Sequence, residues 1–173
     1  LLSAMVGFSF SKRFELPGFG DPRYFIPSIP FLLVLGTAMM ALSYFLFDRY
    51  FFEISPLSYP KEVLYLISLP FKGAFSEEII LRLCLVTLSV GLLKSKGAGV
   101  VLVSTLASLF TIKYFHFFGI EFGFNYLFIT QVLLSFSANL FLGYIFVTRG
   151  LLYSMSLKFL FGIKYVIVSW AMG

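Results

Sequence analysis

Two adjacent carboxylates and an arginine four positions on, in the run Ser76-Glu77-Glu78-Ile79-Ile80-Leu81-Arg82, are the side chains of this sequence best suited to chemistry. On a helix Glu78 and Arg82 share a face and can pair, which leaves Glu77 as the freer carboxylate. A glutamate beside a like charge and withdrawn from bulk water suits a general base that takes a proton from water. The same residues also fit a buried Glu-Arg clasp that locks helices together. His116 is the only histidine, and Lys158 and Lys164 interrupt the last apolar run. Cys84 is the only cysteine; it follows Ile80 by four positions, has no base beside it, and reads as a packing residue. Glu77, Glu78 and His116 are the only set that could be assembled around a metal. With no HExxH pattern and no second histidine, neither a metal nor a cofactor is expected.

These groups sit in a chain of 173 residues that is 60% hydrophobic, 20% aromatic and 12% charged, with mean hydropathy +0.97. Soluble domains are roughly 45–50% apolar and about 25% charged. The composition excludes a soluble globular protein and points to an all-α, polytopic transmembrane helical bundle. At ~20 residues per crossing there is room for about five spans in one integral membrane domain over residues 1–173. The expected spans are Ile26 to Phe47, Phe71 to Leu93, Val100 to Phe118, Tyr126 to Val147 and Leu151 to Met172. Residues 1–25 read as an interfacial segment: Leu1 to Phe10 is too short to cross, and Lys12, Arg13, Pro17, Gly18, Gly20, Asp21 and Pro22 follow it. Pro70 and Gly73 are expected to divide Val63 to Leu93 into a short surface helix and a membrane helix. Asp48 and Arg49 read as flanks of the first span, Lys113 and Lys164 as side chains that snorkel from helix ends, and Asn139 as a hydrogen-bonding tie between helices. Ser137, Ala138 and Gly143 are small enough for close helix packing.

An ionisable residue inside such a helix is a functional signal by default, because the bilayer makes an idle one costly. The formal charge of +5 does not indicate nucleic acid, since the basic residues occur singly or in pairs beside apolar runs. They read as topology. Lys12, Arg13, Arg23, Lys94, Lys96 and Arg149 fall on one side of the expected spans, and only Arg49 and Lys61 on the other. That asymmetry places the N-terminus in the cytoplasm, in a protein of the cell membrane whose first partner is membrane lipid.

The EExxxR spacing within a membrane helix resembles the first motif of the CAAX protease and bacteriocin-processing family of intramembrane glutamic endopeptidases. Gly143-Tyr144-Ile145-Phe146-Val147-Thr148-Arg149-Gly150-Leu151-Leu152 is similar to the segment joining that family's last two core helices, so the likeness covers about residues 71–163. It implies that Glu77 and His116 activate water without a metal while Glu78 and Arg82 orient the base. The implied substrate is a membrane-anchored or prenylated peptide or protein.

Two motifs depart from the family. Its FxxxH is absent: Ile112 stands four before His116, and Phe110 is followed at that spacing by Tyr114. Its HxxxN is replaced within Leu157-Lys158-Phe159-Leu160-Phe161-Gly162-Ile163, so Lys158 or Phe159 stands for the histidine and Gly162 or Ile163 for the asparagine. Each lost oxyanion donor typically costs roughly 10²–10³ in rate. Lys158 could replace the missing donor, or it could neutralise Glu77 or Glu78 across the bundle. Three readings remain open: an endopeptidase using Glu77, Glu78, Arg82, His116 and Lys158; a non-catalytic relative that binds other membrane subunits; and a proton or solute carrier.

Overall fold

The computed structural model describes residues 2–54, 62–117 and 126–167, with 52–54 and 111–117 described by backbone alone. Every element among them is helical. Helix α1 (Leu2–Arg13) leads through a loop to a 3₁₀ turn (Pro22–Tyr24) and α2 (Phe25–Ser43). A π-helical turn (Tyr44–Asp48) carries α2 into α3 (Arg49–Ile54). α4 (Val63–Lys72) is followed by π-helical stretches (Gly73–Glu77 and Ile79–Val86) and α5 (Thr87–Leu93). The remaining helices are α6 (Lys96–Phe117), α7 (Tyr126–Arg149) and α8 (Leu151–Gly162).

The helices from Pro22 to Phe51 and from Tyr126 to Arg149 are each long and apolar enough to cross a membrane. At 30 and 24 residues they reach past the hydrocarbon thickness of ~30 Å. A soluble protein buries such helices in its core, yet only 11% and 17% of their most apolar windows are buried here. Ile26 and Val34 of α2 are each 73% exposed, so these helices turn apolar side chains outward rather than into a core.

The expected break at Pro70–Gly73 is not present: helical backbone runs unbroken from Val63 to Leu93. Proline removes one backbone donor and crowds the preceding turn, and here the helix answers by widening rather than stopping. The Gly73 N–H reaches the carbonyls of both Leu69 and Pro70, and the wider turn begins there. The first span likewise continues beyond Phe47, through the turn that holds Asp48.

Three apolar clusters hold the elements, the smallest being Phe47 and Phe51 against Leu127 and Leu134 of α7. Leu83, Val86 and Val90 pack with Val100 and Val103 of α6, Phe146 of α7 and Leu16 of the first loop. Leu32 of α2 packs with Leu142 and Ile145 of α7 and Tyr153 and Leu157 of α8. At one end the first loop crosses the α7–α8 junction. The Leu151 and Leu152 N–H groups donate to the carbonyls of Gly18 and Phe19 at 2.9 and 3.0 Å, which satisfies donors that a helix start leaves open. The Tyr153 hydroxyl donates to the Asp21 carbonyl at 3.0 Å, and Lys96 Nζ to the Glu15 carbonyl at 3.1 Å. The N-terminal loop and the turns at Lys94–Lys96 and Arg149–Gly150 therefore meet at one end of the bundle.

The crossing depends on glycine. Gly20 and Gly150 have φ of +95° and +105°, and a Cβ on Gly150 would stand 2.5 Å from Gly20 Cα. Gly150→Ala is expected to cost about 1–3 kcal/mol from backbone conformation alone, with the collision in addition. Gly97→Ala, whose Cβ meets nothing within 4 Å, is expected to be neutral or stabilising by up to about 1 kcal/mol. Thermal unfolding of both variants in one detergent is the check, the Gly150 variant alone melting earlier.

Candidate functional site

Glu78 and Arg82 lie on the widened segment, 0% and 1% exposed, with Arg82 Nε 3.5 Å from Glu78 Oε2. That separation is ion pairing without a well-formed hydrogen bond. Arg82 Nη2 donates to Asn139 Oδ1 of α7 at 2.6 Å, and Asn139 Nδ2 donates to the Ser135 carbonyl at 2.8 Å. Both Glu78 oxygens and Arg82 Nε and Nη1 have no hydrogen-bond partner among the described residues. A buried pair so incompletely satisfied is a poor stabilising device, and hydrophobic residues of similar volume would serve packing better.

Glu77 faces the other way. Its side chain is 52% exposed, and its Oε2 lies 2.9 Å from Lys158 Nζ of α8. Gly73, one turn before Glu77, makes room: a Cβ there would stand 3.6 Å from Lys158 Cε and 3.9 Å from Glu77 Oε1. The pair opens onto a cleft of about 690 Å³ between α2, α6, α7, α8 and the widened segment. Its polar lining comes from Ser43, Gln131, Ser135, Ser137, Asn139 and Lys164, and apolar side chains such as Leu35, Met39, Phe110 and Phe141 supply the rest.

A third charged cluster closes the cleft at the α2–α8 contact. Lys164 Nζ lies 3.1 and 2.9 Å from the two Asp48 oxygens and donates to Ser43 Oγ at 2.7 Å, while Ser43 Oγ donates to Asp48 Oδ2 at 2.9 Å. The ammonium also stands 4.5 Å over the Phe161 ring, a cation–π contact. Asp48 is 2% exposed and Lys164 5%. The sequence reads Asp48 as a flank and Lys164 as a snorkelling side chain, whereas both are buried and paired with each other. The backbone turns at Ile163, whose N–H donates to the carbonyls of both Phe159 and Leu160, and Lys164 follows that turn. The π-helical turn Tyr44–Asp48 brings Asp48 round to meet it. The signal within the sequence was the matched pair of opposite charges, one at the end of the first apolar run and one inside the last.

Of the candidate residues, Glu77 and Lys158 come together, with Glu78 and Arg82 directly behind them. His116 lies on the backbone of α6, and its side chain is outside the described residues. Ala107 and Phe110 of α6 line the cleft. Gly162 packs against α4 so closely that a Cβ would stand 2.8 Å from Pro70 Cα, leaving no space there for an amide side chain. Asn139 ties helices as expected. Cys84 is a free, partly buried thiol.

Compared with protein-family models, curated proteins and solved structures, the chain has no match.

Removing one partner of the Asp48–Lys164 pair strands a buried charge, so Lys164→Met is expected to lower stability by about 3–5 kcal/mol. Asp48→Asn combined with Lys164→Met is expected to recover most of that loss. A double-mutant cycle on detergent-solubilised protein reads the coupling, and additive losses would contradict it.

Proposed function

We propose that the chain is a five-span protein of the cell membrane with a cytoplasmic N-terminus, built on a CAAX-protease-like core. Its central cleft binds a membrane segment or membrane-anchored peptide without hydrolysing it, as a binding or assembly subunit of a membrane complex. The observation that carries this reading is the contact between Lys158 Nζ and Glu77 Oε2 at 2.9 Å. A general base must offer its lone pairs to a proton of water, and an ammonium in contact with them competes for that position. The residues at the asparagine position support the same reading, because the resemblance puts an oxyanion-polarising asparagine at Gly162 or Ile163, neither holds a donor side chain, and Gly162 packs on Pro70.

One observation favours the intramembrane endopeptidase as a second reading: Glu77 is half exposed to the cleft while Glu78 and Arg82 stand buried behind it. In that mechanism a substrate carbonyl draws Lys158 from Glu77 as an oxyanion donor. Glu77 then takes a proton from the water that attacks the carbonyl carbon and returns it to the departing amine.

In lipid nanodiscs, the wild type is expected to leave a prenylated or membrane-anchored peptide intact, and a stable membrane partner is expected to co-purify equally with Glu77→Gln. Cleavage that disappears in Glu77→Ala and persists in Thr105→Ala, on an exposed face of α6, would establish the endopeptidase instead. For topology, in a Cys84→Ala background, a membrane-impermeant thiol reagent is expected to label Lys61→Cys in intact cells and Lys96→Cys only after lysis. The opposite pattern would reverse the orientation.

A further inference from the structure

The loop crossing does more than bring basic residues to one side. Lys12, Arg13, Arg23, Lys94, Lys96 and Arg149 are all exposed at that end. The acidic side chains among them are Glu15 and Asp21, and the Asp21 carboxylate already accepts the Arg23 backbone N–H at 2.9 Å. Beside this end begins an apolar groove of about 510 Å³ between α2, α4 and α8, separate from the polar cleft. Phe19, Phe25 and Leu152 line its mouth, and Leu32 and Ala74, 3% and 2% exposed, form its floor. Ser156 is the one polar residue in its lining, and the hydroxyl is spent on the Leu152 carbonyl at 2.8 Å. Along α2 from Phe25 to Leu33, and along α8 from Leu152 to Leu160, the groove runs roughly 12 Å parallel to the helices.

We infer that this groove holds an acyl chain of an anionic phospholipid, whose phosphate lies on Arg23 and Arg149 at the basic end of the bundle. Both parts of the amphiphile are accounted for. Arg23 is two residues from Phe25, and Arg149 is three from Leu152, so each arginine leaves the backbone beside the mouth of the groove. Guanidinium groups bind phosphate oxygens bidentately, and the basic end faces the leaflet that carries anionic lipid. Topology alone requires only that positive charge lie on one side. It does not require the Leu151 and Leu152 bonds to Gly18 and Phe19, which fix the basic end and the groove mouth in one place.

The inference rests on the membrane reading above and is independent of peptide binding or hydrolysis. The probes are palmitoyl-oleoyl phosphatidylglycerol and phosphatidylcholine, added to delipidated protein in detergent and read by native mass spectrometry and thermal unfolding. The wild type is expected to retain phosphatidylglycerol at least tenfold over phosphatidylcholine and to melt later with it. Arg23→Gln with Arg149→Gln is expected to abolish the preference, and Ser156→Phe, which fills the groove, to lose the bound lipid while keeping the charges. A phosphatidylglycerol with a photoreactive group at mid-chain is expected to label peptides containing Ala74 or Ser156 rather than Leu106 on the exposed face of α6. Equal retention of the two lipids, or a preference that survives Ser156→Phe with labelling spread to Leu106, would overturn the inference. Release of the protein from membranes by alkaline carbonate would instead overturn the membrane reading beneath it.

Discussion

A charge removed from water must find an opposite charge or lose several kcal/mol, and in an apolar helical chain the partner generally lies on another helix. That constraint fixes the arrangement around the cleft. Glu78 and Arg82 pair within the widened segment, and the guanidinium then reaches Asn139 of α7. Glu77 on the same segment meets Lys158 of α8, and Lys164, past the turn in that helix, meets Asp48 at the end of α2. The two ion pairs between elements, with the Arg82–Asn139 hydrogen bond, tie the end of α2, α7, α8 and the widened segment. Apolar packing alone is non-directional and would hold the helices together without specifying their rotation.

The irregular backbone serves the same constraint. π-helical turns occur at Tyr44–Asp48, Gly73–Glu77 and Ile79–Val86, where Asp48, Glu77 and Arg82 lie. Each wider turn shifts the face on which the next side chains emerge, and such turns are frequent where a fold serves a site rather than its own stability. The Gly20–Gly150 crossing and the capping of α8 by the first loop fix where that helix begins, and hence where Lys158 stands.

Exposure separates the pairs chemically. Glu78, Arg82, Asp48 and Lys164 are sealed, whereas Glu77 and Lys158 reach an open cleft whose walls also carry neutral hydrogen-bonding groups. Closed pairs set geometry, and the accessible one meets whatever enters. Under the proposed reading, a cleft with amides, hydroxyls and a paired carboxylate offers a peptide segment hydrogen-bonding groups that lipid lacks. The binding and hydrolytic readings share that fit, and they part on whether Lys158 leaves the Glu77 carboxylate open to water.

Composition and the spacing of charges determined much by themselves. An apolar content of 60% with 12% charge departs from soluble domains and favours helices, which satisfy their own backbone, and EExxxR puts Glu78 and Arg82 four apart on a shared helix face. A stop over Lys94-Ser95-Lys96-Gly97 was readable from local signals; the structure shortens it to a left-handed cap at Lys94 and Ser95, which accepts the Ala98 N–H, with α6 starting at Lys96. Tertiary structure decided the rest. Lys158 was readable as a partner for either glutamate, and only the placement of α8 beside Gly73 selects Glu77. Asp48 looked like a flank because local pattern cannot reveal that a helix widens and continues, or that a lysine 116 positions away returns to it. Charge pairing across helices acts through space, and a linear pattern carries only the cost of burying each charge, not the address of its partner.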